Sequence, residues 1–133
     1  MATAPVYDEE LRQLHLLGLF HFIAAGLIGL FSLFPLIHVA IGIAAINGSL
    51  DATNPPPPLF GWMFLLIGSF LVLCGLVTAG LVAYAGRCLR ARRRHTLCLV
   101  IAGVECMFMP FGTVLGVFTL ILLTRPSVRG AFA

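Results

Sequence analysis

The 133-residue chain has no lysine, and only 10% of its residues are charged. A soluble domain carries roughly 25% charged residues. With 60% of the chain hydrophobic, so short a polypeptide has too little interior to hide its apolar surface from water. That excludes an ordinary soluble domain and makes a bilayer the expected solvent. Cysteine is sparse as well. Cys74, Cys88, Cys98 and Cys106 form no CxxC pair, so neither a disulfide framework nor a zinc site is expected, and the four read as small apolar packing residues. No Ser/His/Asp set, HExxH, P-loop or GxGxxG is present, so no enzyme is expected. His15, His21 and His38 lie along one apolar run, whereas paired haem ligands come from facing helices, so no cofactor is expected and they read as packing or interfacial histidines. A cleavable signal peptide is not expected either: the chain opens with Asp8, Glu9 and Glu10 in place of a basic n-region, and its first apolar run is far longer than an h-region.

What charge there is lies in one place. Arg87, Arg90, Arg92, Arg93 and Arg94 are five of the eight arginines and stand between two long apolar runs. Short arginine-rich loops stay on the cytoplasmic side of a membrane, so the 87–95 segment orients its neighbours. It also offers a surface to anionic lipid headgroups or to a partner. No aromatic residues alternate with these arginines on a soluble face, so nucleic acid is not the expected partner.

The fold class expected is all-α, an integral membrane protein with three to four transmembrane or half-transmembrane helices in a single domain, 1–133. Met1 to Tyr7 reads as loose. The 8–47 segment reads as an amphipathic start followed by a kinked transmembrane helix. Asp8, Arg12 and His15 fall on one side of that start and Leu11, Leu14 and Leu17 on the other, a pattern that can lie in the membrane interface before the chain turns inward. Pro35 removes a backbone donor and predicts a break. The 48–58 segment, ending in four prolines, is a stiff external connector. The 59–86 segment is the plainest transmembrane helix, with Trp62 and Tyr84 near its ends and Gly68, Gly75, Ala79, Gly80 and Ala83 as small residues that admit a neighbouring helix. The 96–124 segment is broken at Pro110 and is either one kinked crossing or a re-entrant hairpin. Gly112 and Gly116 form a GxxxG within it. A tail, 125–133, carries two more arginines. If 96–124 crosses once, Arg125 and Arg129 end outside; if it returns as a hairpin, all eight arginines are inside, which the positive-inside rule prefers. The amino terminus is therefore expected in the cytoplasm, and the carboxyl terminus with it.

Glu105 is the one acid inside an apolar run. A carboxylate at that depth costs several kcal/mol or takes up a proton, so it needs a partner. At ~1.5 Å of rise per residue, Glu105 and Thr78 lie roughly 12 Å below the cytoplasmic edge and His38 roughly 16 Å. A buried polar cluster of Glu105, His38 and Thr78, with Thr113 as a fourth member, is the expected site.

Two stretches, from Leu14 through Phe22 to His38 and from Cys98 through Glu105 to Leu120, the second with the pattern P-x-G-T-x-L-G beginning at Pro110, resemble a family of small, uncharacterised bacterial multi-pass membrane proteins. The resemblance implies a bacterial inner (cytoplasmic) membrane location and no activity. The function expected is that of a non-catalytic accessory or structural subunit of a larger membrane complex, with other membrane subunits or a second copy as partners. The alternative is a small homo-oligomeric channel or transporter built around Glu105. A faint likeness between the Pro35 and Pro110 breaks is of the kind that paired transporter half-helices show.

Overall fold

The computed structural model describes residues 4–107 and 111–132. Among these residues there are six helices and no strand: α1 Ala4–Phe31, α2 Leu36–Ile46, α3 Pro58–Ala91, α4 His95–Glu105, α5 Phe111–Leu123 and α6 Pro126–Ala131. Two stretches, Asp8–Ile46 and Pro58–Ala91, are long and apolar enough to cross a membrane. At 11 and 13 residues, α4 and α5 reach only roughly 16–20 Å, short of a ~30 Å hydrocarbon core.

Several boundaries differ from expectation. Helix is already present at Ala4, where a loose segment was expected; Met1–Thr3 lie outside the described residues. The amphipathic start does not end before the apolar run. α1 is one continuous 28-residue helix, because nothing between Asp8 and Phe31 removes a backbone donor. The expected break at Pro35 is present. With no N–H at Pro35, the chain tightens to i→i−3 bonds across 33–37, Phe34 N–H to the Phe31 carbonyl at 3.1 Å and Leu36 N–H to the Leu33 carbonyl at 3.0 Å, before α2 resumes. The arginine loop is shorter than expected. Arg87 and Arg90 belong to the last turns of α3, since arginine is a good helix former and Cys88 and Leu89 between them are buried. Only residues 92–94 connect α3 to α4. The proposed break at Pro110 lies outside the described residues.

Where a single domain was expected, the chain divides into two compact units, Met1–Gly26 with Ala79–Ala133, and Leu27–Thr78. In the first, Leu14, Cys88, Leu89, Cys98, Leu122, Leu123 and Val128 form a buried apolar cluster, with Leu11 and Leu17 packed against it. The expected amphipathicity is therefore present: Leu11, Leu14 and Leu17 face inward while Asp8, Arg12 and His15 are exposed. α4 and α5 form an antiparallel hairpin. His95 Nε2 lies 2.7 Å from the Leu123 carbonyl, the Thr113 hydroxyl donates to the Cys106 carbonyl at 2.8 Å, and a Cβ on Gly116 would stand 2.5 Å from the Ala102 carbonyl oxygen. Glu10 and Arg125 form an ion pair at 3.4 Å.

The second unit packs differently. Gly61, Gly68 and Gly75 recur every seven residues on α3. A Cβ on Gly61 would meet Ile46 and the Gly42 carbonyl, one on Gly68 would meet His38 and Val39, and one on Gly75 would meet Ser32. Gly42 answers from α2, where a Cβ would stand 2.7 Å from the Leu65 nitrogen and 2.8 Å from the Gly61 carbonyl oxygen. Helix backbones touch here with almost no side chain between them. Gly80, expected on such a contact, faces open space.

α2 ends in a Schellman motif. Ser49 N–H bonds the Ala44 carbonyl and Gly48 N–H the Ala45 carbonyl, with Gly48 at φ 70°, the left-handed conformation this motif requires. In the loop that follows, the Asp51 carboxylate accepts from the Thr53 hydroxyl at 2.6 Å and from the Thr53 and Asn54 backbone N–H groups. The Thr53 hydroxyl, then the two N–H groups, hold the Asp51 carboxyl below its ordinary range.

Candidate functional site: a buried histidine–glutamate pair

Glu105 closes α4 and is 2% exposed. Its neighbour is His21 of α1, which is fully enclosed, with Nε2 3.1 Å from Oε2. Both belong to the first unit. The buried stripe Leu14, Gly18, His21 and Ala25 has the 4–3–4 spacing of one helix face, which turns His21 inward. Gly86 of α3 gives it room: a Cβ there would stand 3.0 Å from the His21 Cβ and 2.9 Å from the Gly18 carbonyl oxygen.

The other ring nitrogen has a partner on its own helix. His21 Nδ1 lies 2.8 Å from the Leu17 carbonyl one turn earlier. A carbonyl only accepts, so Nδ1 carries hydrogen. Nε2 and Oε2 would then be two acceptors in contact unless one more proton lies between them. One further proton, on either the imidazole or the carboxyl group, would remove that clash. Both forms are neutral overall, which lowers the cost of enclosing two ionisable groups. Although the groups are in ion-pair contact, Nε2 and both carboxylate oxygens make no hydrogen bond among the described residues.

The other residues expected beside Glu105 make the following contacts. His38 stacks on Phe64 with ring centres 5.7 Å apart. The Thr78 hydroxyl donates to the Cys74 carbonyl of its own helix at 2.8 Å. Thr113 spans the α4–α5 hairpin. The depth estimate that selected His38 treated 8–47 as one crossing, whereas the chain tightens into a turn at 32–35. His21 was missed, although it extends the Leu11 and Leu14 face by two turns. His95, which links the two ends of the α4–α5 hairpin, was missed as well.

The basic residues sit at one end of the first unit. Arg90 Nη2 donates to His15 Nε2 at 3.2 Å. Arg87, Arg92, Arg93 and Arg94 are exposed. Arg92 and Arg94 both have positive φ, 54° and 53°. Among the described residues no group of three or more His, Cys, Asp or Glu side chains is placed to hold a metal. No family model, curated protein or solved structure matches this chain.

Proposed function

We propose that the chain is a multi-pass protein of the bacterial inner membrane and acts, without catalysis of its own, as an accessory or structural subunit of a larger membrane complex. In this reading α1–α2 and α3 cross, α4–α5 is a re-entrant hairpin, both termini are cytoplasmic, and the 48–58 loop is external. The observation that carries it is the second unit. Its internal contacts use glycine, while Leu59, Leu66, Phe70 and Leu73 of α3 and Phe31 and Phe34 are each more than 60% exposed. Side chains of that size on helices already paired through their backbones are free to meet lipid or another subunit. The His21–Glu105 pair then serves as a clamp between α1 and α4. Mild extraction from native membranes, followed by mass spectrometry of what stays bound, tests the reading. A partner at fixed stoichiometry is expected; a clean homo-oligomer overturns it.

A second reading, a homo-oligomeric channel or transporter, draws support from the same pair. Buried histidine and glutamate side chains within membrane helices are the groups from which proton relays are built. Proton flux into vesicles carrying the purified protein, abolished by Glu105→Gln, would establish that reading; equal flux through both proteins would remove it.

A further inference from the structure

We infer that the first unit carries a specific site for one anionic phospholipid, in the groove between α1 and α3 lined by His15, Phe22, Arg87, Arg90 and Ala91. This inference rests on the membrane reading above. The groove is shallow and open, with a volume of about 670 Å³. Its polar end is built, not merely charged. Gly18 leaves space on α1 for the stem of Arg90: a Cβ there would stand 2.5 Å from the Arg90 Cγ. Arg90 therefore lies across α1 and its guanidinium reaches His15 Nε2. Because Nε2 accepts that bond, the imidazole keeps its proton on Nδ1 as a further donor. The guanidinium spends one N–H on His15 and retains four. Arg87, one helical turn away, is exposed and makes no hydrogen bond or ion pair among the described residues.

An anchored guanidinium at Arg90 and a free one at Arg87, one turn away on the same helix, can together meet the oxygens of a phosphate, which arginine binds in a forked geometry. The opposite end of the groove is Phe22, two turns along α1 from His15, an apolar floor suited to the glycerol and upper acyl chain. A phosphate group attached to a hydrocarbon chain satisfies both ends; a free phosphate satisfies only the first. The site differs from the general attraction of an arginine-rich loop for a charged surface, because residues 92–94 take no part in it.

The test uses the full chain reconstituted in vesicles of equal parts phosphatidylglycerol and phosphatidylcholine, extracted in mild detergent, with retained lipid counted by native mass spectrometry. One phosphatidylglycerol per chain is expected, in clear excess over phosphatidylcholine. Arg87→Gln, at an exposed position that supports no packing, should cut that retention about tenfold, the order expected for one charged hydrogen-bonding group. The triple variant R92Q/R93Q/R94Q should keep it. Inorganic phosphate at a large excess should not displace the lipid. Equal retention of both lipids, loss in the triple variant with retention in Arg87→Gln, or displacement by inorganic phosphate would each overturn the inference. Alkaline carbonate washing of the native membranes separates the two readings. If the wild-type chain is stripped, the membrane reading fails; if it stays embedded yet shows no lipid preference, only the lipid site fails.

Discussion

The two units of this chain solve the same problem, holding apolar helices together, by opposite means. The first has a side-chain core of leucine, cysteine and valine, an enclosed His21–Glu105 pair and an ion pair between Glu10 and Arg125. The second has a seven-residue repeat of glycine on α3 pressed against α2 and Ser32, with few buried side chains of any size. Apolar side chains gain from burial only where the alternative is water. In lipid that gain vanishes, and close backbone approach through small residues is what remains.

The comparison can be broken at the polar pair first. His21→Ala leaves Glu105 enclosed without its partner and should cost about 3–5 kcal/mol, read as a shift in denaturant unfolding of the protein in micelles. Replacing both residues by leucine should restore most of that loss, since a well-packed apolar pair is often no worse than a buried ionic one. If the single and double variants were equally destabilised, packing at His21 and not charge would be what the first unit needs there.

The glycine seam gives the next largest effect and separates the units by position alone. Gly42→Ala forces a methyl group against the Leu65 nitrogen and the Gly61 carbonyl, so the helices must part, at about 1–3 kcal/mol. Gly80→Ala, on the same helix as the seam but facing open space, should instead gain about 0.5–1 kcal/mol from helix propensity. Parallel unfolding curves of the two variants check this. Equal effects would show that the seam does not hold α2 to α3.

Much of this was legible in the sequence, for identifiable reasons. The helices follow from long apolar runs, and the break near Pro35 from a missing donor. The partner of Glu105 was not found. Depth along a helix orders residues in one dimension only, whereas His21 is placed by the face it occupies, which required following the buried stripe from Leu14. Gly80 was read as a contact because small residues are counted by type, while the seam is selected by its period of seven. The extent of α3 was missed because arginines were read as a loop, although they favour helix and flank two buried residues.

The two helix ends that reverse the chain show the same limit on a smaller scale. α2 closes with Gly48 in the left-handed conformation, which glycine adopts without strain. α3 closes with the same pattern of bonds, Arg93 N–H to the Cys88 carbonyl at 3.0 Å and Arg92 N–H to the Leu89 carbonyl at 3.3 Å, but the residue at positive φ is Arg92. An L-residue with a Cβ pays roughly 1 kcal/mol to adopt that conformation, so no local signal in the sequence marks the end of α3. Arg92→Gly should remove the strain and stabilise the first unit by about 1 kcal/mol, somewhat less after the added freedom of the unfolded chain, as measured by the same unfolding curves. Gly48→Ala should lose a similar amount. Arg94 adopts the same conformation at the start of α4, so a strained arginine stands on each side of Arg93 in a connection of three residues. If Arg92→Gly gains stability without altering lipid retention, the strained arginine is kept for its charge at the membrane surface, in line with the positive-inside rule, and not for the turn.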